Sequence, residues 1–519
     1  MSKSKRNAII ITIALFSAMV FYIIDKKNLK TRQPEANLNT ADEQRGELLA
    51  RKYCTSCHQF PDPGLLPKGS WRNAVLPAMG MFLGVGIPSV SLKAEGKNLI
   101  PSKPLLSVND WHAINGYYID SAPERLAAQG RKKITFGLPS FQVLLPKQDI
   151  FYNKLALATY VKISPEPNNC LLIQDGISNQ LYQINARLDT LKSSKMPGTL
   201  VDIDLAAKPK LATFIGENYM ASQSFKGRIY AFSPAAPYQL LSREPIFSSL
   251  SRPVKTLKTD LNGDGLGDIL IGEFGRLTGQ LSWAEASKKG IYKKHTLRPM
   301  PGIIDFVVTD VNGDGKADIY ALFAQGDEGI FLFRNLGNGK FNTEKVLSFP
   351  PVYGSSSFEL VDFNRDGFKD LLYTCGDNAD LSPVVKPYHG IYIFFGDRKG
   401  QFKKMFFYPM NGCYKAIARD FDLDGDLDIA SISAFPAAAS PWEAFVYLQN
   451  RGNLTFKGFT LAKNVPFQKG LTMDSGDFNG DGKIDLLLGN KYYSSDKSGE
   501  SQPLFMLLKN TSSVNKKTK

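Results

Sequence analysis

The stretch that decides the fold is DLNGDGLGD, residues 260–268, because it returns four more times along the chain. The later copies are DVNGDGKAD from Asp310, DFNRDGFKD from Asp362, DFDLDGDLD from Asp420 and DFNGDGKID from Asp477. They start 50 to 58 residues apart, and each lies between short runs rich in Val, Ile, Leu, Phe and Tyr. A unit of that length with about four short strands is typical of a β-propeller blade.

Two weaker repeats precede these five. The segment Thr199 to Gly216 keeps the strand, loop, strand order but lacks the loop glycine and the later aspartates, and Ala158 to Ile184 keeps only the strands. Together they predict that residues 132–510 form an all-β propeller of seven blades. Six or eight blades stay open, because the first two repeats are weak.

The repeated loops predict calcium sites. A hard cation takes six or more oxygens, and alternate positions of a tight loop point inward while glycine permits the turn. The predicted ligands are side chains at loop positions 1, 3, 5 and 9 and the backbone carbonyl at position 7: Asp260, Asn262, Asp264, Leu266 and Asp268; Asp310, Asn312, Asp314, Lys316 and Asp318; Asp362, Asn364, Asp366, Phe368 and Asp370; Asp420, Asp422, Asp424, Asp426 and Asp428; Asp477, Asn479, Asp481, Lys483 and Asp485. A single loop of this kind is also compatible with an Asx-rich turn that binds nothing. An EF-hand would carry Glu at position 12, and none of the five loops does.

This part of the chain resembles the FG-GAP/VCBS repeat family in its five full loops. The resemblance implies a propeller with calcium bound between two strands of a blade, up to five ions in all. Such ions would stabilise the fold rather than perform chemistry, since a ligand bound only by the folded state favours that state. Metal binding by the two N-terminal repeats is not expected.

The second motif is CTSCH, from Cys54 to His58, at the end of a predicted helix over 42–53. CxxCH is the attachment sequence for a c-type haem: Cys54 and Cys57 would bind the porphyrin covalently, and His58 would be the proximal iron ligand. A CxxC dithiol, a zinc half-site and a local disulfide are the alternatives. Residues 42–125, with a second predicted helix over 108–119, resemble a small all-α cytochrome c domain.

The sixth ligand of that iron would come from the rest of the helical region. The resemblance implies a methionine between CxxCH and the last helix, and Met79 and Met81 are the candidates there. Met79 is preferred. Met81 and His112 stay open as alternatives, and core packing is the ordinary role of methionine.

The N-terminus has the features of an export signal. Basic residues at 3, 5 and 6 precede an uncharged run over 8–24. Residues 1–25 are therefore a signal peptide or, since no small-x-small cleavage site follows, a membrane anchor. A polar linker over 26–41 leads to the helical region, and a basic tail occupies 511–519. We expect an exported protein on the periplasmic or cell-surface side, tethered by its N-terminus.

The formal net charge of +14 does not by itself indicate nucleic acid. Its lysines are scattered, the obvious basic clusters are at the two ends, and a polyanion footprint needs clustering. In the propeller, Cys375 and Cys413 are expected near the face opposite the calcium loops, either as a disulfide or as two buried thiols. Cys170 has no obvious partner.

These motifs predict an extracytoplasmic haem c and calcium-binding protein for electron transfer, in which the propeller is a docking scaffold for an unidentified redox partner. Alternatives are a surface-binding or adhesion module with an accessory haem, and an oxidoreductase whose propeller face binds substrate beside the haem. No nucleophile with a base, paired-carboxylate site or phosphate loop stands out, so an enzyme is less expected. Aromatic and acidic residues of the face opposite the calcium loops are expected at the partner site or, equally, in packing over the blade ends: Glu273, Asp327, Asp377, Asp380, Tyr388, Trp442, Tyr492 and Tyr493.

Overall fold

The computed structural model describes residues 40–86, 99–130, 132–165, 169–219, 225–233, 240–377, 382–493 and 501–513. The expected signal or anchor, most of the linker, Asp380 and the end of the basic tail lie outside these residues. Among the described residues, no helix is long and apolar enough to cross a bilayer.

The N-terminal part is helical, and we call residues 40–86 and 99–125 the helical module. Its elements are α1 (Thr40–Cys54), a 3-10 turn (Pro63–Leu65), α2 (Lys68–Ser70), a π-helical turn (Trp71–Val75), α3 (Leu76–Phe82) and α4 (Val108–Ser121). Helix α4 begins at Ser107, whose hydroxyl accepts the N–H of Asp110. Helices α1 and α4 pack closely where Gly46 faces Ala113. Glycine permits this approach because a Cβ at position 46 would lie only 2.4 Å from the carbonyl oxygen of Ala113. Both predicted helices are therefore present.

The core of the helical module is aromatic. Trp71 and Tyr118 are almost fully buried with their ring centroids 4.5 Å apart, and Ile114 packs in the same cluster. The polar atoms of the two rings are satisfied inside the module: Trp71 Nε1 donates to the Pro63 carbonyl and Tyr118 Oη to the Pro61 carbonyl.

The rest of the chain forms small antiparallel sheets, which we label A to G in chain order. Sheet A contains β4 (Leu155–Ser164), β5 (Cys170–Asp175), β6 (Gln180–Ile184) and β7 (Thr190–Lys195). Sheet B contains β8 (Thr199–Asp204), β9 (Lys210–Gly216), β10 (Gly227–Phe232) and β11 (Phe247–Leu250). Sheet C contains β12 (Pro253–Thr259), β13 (Asp268–Glu273), β14 (Gln280–Ala286) and β15 (Tyr292–Arg298). Sheet D contains β16 (Ile303–Thr309), β17 (Asp318–Phe323), β18 (Gly329–Gly337) and β19 (Lys340–Ser348).

Two of the last three sheets, F and G, each include a strand from the segment before β4. Sheet E contains β20 (Ser355–Val361), β21 (Asp370–Cys375), β22 (Gly390–Gly396) and β23 (Phe402–Pro409). Sheet F contains β24 (Cys413–Arg419), β25 (Asp428–Ser433), β26 (Phe445–Asn450), β27 (Phe456–Thr460) and, parallel to β27, β1 (Ile134–Phe136). Sheet G contains β28 (Gly470–Gly476), β29 (Asp485–Tyr493), β31 (Phe505–Asn510) and, at its edge, β2 (Phe141–Leu144). Short pieces complete the chain: β3 (Tyr152–Asn153), β30 (Gln502–Pro503) and 3-10 turns at Asp149–Phe151 and Pro441–Ala444.

The sheets form a β-propeller. The first strand of each sheet, which we call its inner strand, contacts the inner strands of the sheets before and after it. The ring closes because β28 contacts β4, and the end of β29 pairs with the start of β4 from Lys491↔Leu157 to Tyr493↔Leu155. Apolar clusters fill the space between neighbouring sheets, such as Phe306 and Phe331 between C and D. The two weak repeats of the sequence are sheets A and B.

Candidate functional site: acidic loops and a CxxCH segment

The five acidic loops connect the first and second strands of sheets C to G, so they share one face of the propeller. In the first loop the Asp260 carboxylate accepts the N–H groups of Gly263, at 2.7 Å, and Gly265, at 2.8 Å. Both glycines have a left-handed backbone, with φ of 82° and 80°. This conformation folds the loop around its first aspartate, and glycine adopts it without strain.

Positions 3 and 5 continue the same local pattern. Asn262 Oδ1 accepts the Asp264 N–H, and Asp264 Oδ1 accepts the Leu266 N–H. The second and fifth loops repeat these contacts. Position 4 is not glycine in two loops, yet Arg365 and Leu423 take φ values of 60° and 62° there. The loop shape therefore overrides the preference of these side chains.

Two observations show that the loops present oxygens suited to a cation. One carboxylate oxygen from each of Asp420, Asp422 and Asp424 lies within 4.8 Å of the others. In the third loop, Asp362 Oδ1 is buried and no described residue donates to it. A buried carboxylate oxygen without a donor costs free energy unless a cation or water satisfies it. Calcium is the hard cation that such oxygen-rich loops fit.

Position 9 has a different environment from the other predicted ligands. Asp268 is fully buried, and its two oxygens accept the N–H groups of Leu261, in the loop, and Ala286, at the end of β14. The same position is buried in the other four loops, where one oxygen accepts from the end of the third strand of its own sheet: Asp318, Asp370, Asp428 and Asp485. We call these five residues the latch aspartates, because each ties the loop to the sheet through backbone hydrogen bonds.

The CxxCH segment lies where α1 ends. Cys54 is half-buried, and burial raises the pKa of its thiol, while Cys57 is exposed. All five cysteines of the chain are reduced thiols. His58 Nδ1 donates to the Gln59 carbonyl at 2.8 Å, which leaves the lone pair on Nε2. Two thiols and an imidazole with Nε2 available are the donors that a c-type haem requires, so the residues present fit that group.

The three candidates for a sixth ligand lie in different environments. Met79, on α3, is half-buried against the core of the helical module, to which Cys54 also packs. Met81 is 9% exposed on the same helix, whereas His112 is exposed on α4. Met79 thus shares one cluster with Cys54, and its role as ligand stays a prediction.

The remaining cysteines occupy the propeller core. Cys375, at the end of β21, donates to the Tyr388 carbonyl, and Cys413, at the start of β24, lies 3.3 Å from Ser431 Oγ. Burial raises the pKa of Cys413 to about 12. Of the two alternatives that the sequence left open, the structure has buried thiols and no disulfide.

The helical module docks on the propeller face opposite the acidic loops, over sheet E. Tyr388 Oη donates to the Leu65 carbonyl at 3.1 Å, and Ser348 Oγ donates to Gln59 Oε1 at 3.0 Å. Val352 and Val384 pack against the core of the module. Gln59 follows His58 directly, so the CxxCH segment lies at the contact with the propeller. No sequence pattern marked this contact, because it joins residues more than 280 positions apart.

These contacts bear on the aromatic and acidic residues that were expected either at a partner site or in packing over the blade ends. Tyr388 is used within the chain, and Glu273 and Tyr492 are 3% and 4% exposed, so they do not line an open surface. Asp327 pairs with Arg298 and Lys345. The Trp442 side chain is exposed, at 39%, and packs edge-to-face on the Phe136 ring. Packing explains most of this set.

Comparison with known proteins supports the repeat. A family model described as FG-GAP-like repeat matches residues 260–321, 310–373 and 420–488. Solved structures with a similar chain course include the N-terminal domain of Nup159, with 12% identity, 74% of this chain and 99% of that chain covered, and a TM-score of 0.41. Virginiamycin B lyase from Staphylococcus aureus gives 13% identity, 71% and 98% coverage and a TM-score of 0.41.

The class that the strand ring and the loops define is a β-propeller with FG-GAP-like repeats. The chain carries these repeats in sheets C to G, as the sequence predicted.

Proposed function

We propose that the protein is an extracytoplasmic electron-transfer protein with one covalent haem c and up to five calcium ions. The observation that carries the proposal is the CxxCH segment at the end of α1, with two reduced thiols and a His58 ring whose Nδ1 is already hydrogen-bonded. The propeller, with seven blades in sheets A to G, is the docking scaffold for a redox partner. The apolar run over 8–24 would tether the chain on the periplasmic or cell-surface side.

Each predicted residue has a definite task in this proposal. Cys54 and Cys57 would attach the haem, which supplies reversible one-electron chemistry when bound. The Gln59 carbonyl accepts from His58 Nδ1, which would fix the tautomer of the ring and leave Nε2 to bind the haem iron. Met79 would be the second protein ligand of the iron. The aromatic core around Trp71 and Tyr118 would keep the site apolar.

In the calcium sites, positions 1, 3 and 5 of each loop would supply side-chain oxygens and position 7 a carbonyl. The ninth residue would add its carboxylate while also holding the loop to the sheet. Each ion would neutralise several carboxylates that otherwise repel one another.

A second candidate is an oxidoreductase that binds substrate on the propeller beside the haem. The observation in its favour is the position of the helical module, since Gln59, next to His58, contacts Ser348 of sheet D. A group bound on this face would lie near the electron carrier.

The test is production of the chain with a haem-maturation system, followed by denaturing electrophoresis and haem staining. We expect a stained band that is lost in the Cys54→Ala and Cys57→Ala double variant and kept in Cys170→Ala, which removes a thiol of the propeller. His58→Ala should remove proximal ligation, and Met79→Ala should change the low-spin spectrum. A colourless protein under these conditions would refute the haem proposal.

A further inference from the structure

Five residues meet around the propeller axis on the face opposite the acidic loops: Tyr219, Arg252, Asp377, Tyr414 and Lys491. We call them the central funnel. Tyr219 lies in the connection between β9 and β10 of sheet B, and Tyr414 belongs to the inner strand of sheet F, yet their hydroxyl oxygens lie 3.2 Å apart. Sheets C, D and E separate B from F in one direction around the ring and sheets G and A in the other, so the two side chains meet across the axis.

The polar groups of the central funnel are largely surrounded by protein, yet solvent still reaches several of them. Burial raises the pKa of both phenols and lowers the pKa of the Arg252 guanidinium. Part of each tyrosine and of Asp377 nevertheless remains in contact with solvent. Groups that are surrounded by protein and still reached by water line a concave site, the usual form of a small-molecule site.

The charges of this site are mainly positive. The Lys491 ammonium lies 4.5 Å above the Phe435 ring and donates to no oxygen among the described residues. Arg252 Nη2 lies 3.4 Å from the Tyr219 carbonyl. Asp377 is the acid of the site. Burial lowers the pKa of the Lys491 ammonium and the negative charge of Asp377 acts against this, while for Tyr414 that charge adds to the effect of burial and raises the pKa further.

A further cation lies below the funnel, in the channel between the inner strands. Lys162 is paired with Asp474 at 3.0 Å, and Lys255 with Asp305 at 2.7 Å. Lys415, next to Tyr414, has a comparable position but no acceptor within the described ranges. A β-bulge between Cys413 and Lys415 shifts the strand register there, as a bulge does in the corresponding inner strands of sheets C, D, E and G.

We propose that the central funnel binds a small oxyanion, a carboxylate or a tetrahedral anion such as sulfate or phosphate. Arg252 and Lys491 would supply charge-assisted hydrogen bonds, and Lys415 adds positive potential below. The hydroxyls of Tyr219 and Tyr414, which bond to each other in the free site, would turn so that each donates its one hydrogen to the anion. A cationic ligand would meet an excess of like charge.

The site lies beside the helical module without depending on a haem. Asp377 starts the connection from β21 to β22, and Tyr388, near its end, contacts the module. A bound anion would therefore sit on the same face as the CxxCH segment.

The test is isothermal titration of the full, calcium-loaded chain with sodium sulfate and, separately, sodium succinate, at ionic strength held constant with sodium chloride. We expect one saturable site for at least one of the two anions, and the arm that saturates identifies the tetrahedral or the carboxylate class. Lys491→Met and Tyr414→Phe should each weaken binding about tenfold, as expected for a lost hydrogen bond to a charged ligand.

Lys457→Met is the matched control, because the Lys457 ammonium lies 5.0 Å above the Phe459 ring on an outer strand, away from the funnel. It should bind like the parent chain, and thermal unfolding of all variants should be unchanged within a few degrees. No saturable heat with either anion would overturn the proposal. So would equal affinity in Lys491→Met, Tyr414→Phe and the parent chain, or an equal loss in Lys457→Met.

Discussion

Sheet B and sheets C to G have the same antiparallel order of their first four strands, but they hold the turn between the first two strands by different means. In sheets C to G the turn is the acidic loop, for which we propose calcium binding. In sheet B two lysines donate to carbonyls of the turn: Lys210 Nζ to Leu205, at 2.6 Å, and Lys258 Nζ to Lys208, at 2.9 Å. A blade therefore does not require the acidic loop. In sheet B the ammonium groups of these two lysines lie at the turn, where we propose that sheets C to G bind calcium.

Removal of calcium should give the largest effect and should act only on sheets C to G. Each ion bound only by the folded state contributes about 2.7 kcal/mol at a hundredfold excess over its Kd. We expect a chelator to lower the unfolding temperature markedly, and Asp477→Ala to reproduce part of that loss. The measurement is differential scanning calorimetry with calcium and with chelator.

The control for that experiment is Asp397→Ala. Asp397 stabilises an exposed turn by accepting the N–H groups of Lys399 and Gln401, outside the acidic loops. This variant should keep the full response to the chelator. An unfolding temperature that is the same at every calcium concentration would show that the loops are turns only.

The latch aspartates should show the next largest effect, and one that survives chelation. Asp485 accepts the N–H groups of Phe478 at 2.9 Å and Asn510 at 2.6 Å while fully buried. Asp485→Ala leaves two buried donors without partners, a cost of about 2–5 kcal/mol. Urea unfolding in chelator should show this loss for Asp485→Ala and a smaller one for Asp477→Ala, because the N–H groups that donate to Asp477 are exposed and water can replace it. If Asp485→Ala did not change the free energy of unfolding in chelator, Asp485 would act only as a metal ligand and not as a latch aspartate.

Sheet B should respond to pH rather than to calcium. Burial raises the pKa of Asp202 to about 6, although Lys255 and the Thr256 N–H act against it. Because the folded state holds this proton more tightly, stability is greatest below the ordinary aspartate pKa and falls as the pH rises through about 6. Solvent in the channel limits the loss to about 1–2 kcal/mol. Asp202→Asn should make the dependence between pH 4 and 7 shallower in urea unfolding, with or without calcium. The part due to Glu328 and Asp428, whose pKa burial raises to about 7, should stay. An unchanged slope would contradict this.

The smallest effect concerns the fourth loop position. Leu423 has a φ of 62°, a conformation that costs a side chain with a Cβ about 1 kcal/mol, whereas Gly263, Gly313 and Gly480 fill the same place without strain. Leu423→Gly should therefore raise the free energy of unfolding by up to about 1 kcal/mol in calcium. Gly480→Leu, the reverse change, should lower it. Opposite signs would show that the side chain at this position matters more than the backbone.

Much of this molecule could be predicted from sequence because its features are local. The loop spacing predicted the repeat and the strands around it, and CxxCH placed the candidate haem residues at the end of a helix. The docking of Tyr388 on Leu65 and the meeting of Tyr219 with Tyr414 could not be predicted, since each depends on how the sheets close into a ring. The latch role of Asp268 was hidden for a related reason: its second partner, Ala286, lies in another strand.

The most direct test of the whole account is mass spectrometry of one preparation, made with a haem-maturation system, under native and then denaturing conditions. We predict that the denatured chain keeps the mass of one haem, and that the native chain carries in addition up to five calcium ions, which chelator removes. A denatured mass equal to that of the bare chain would contradict the haem proposal. A native mass without calcium would contradict the role assigned to the acidic loops.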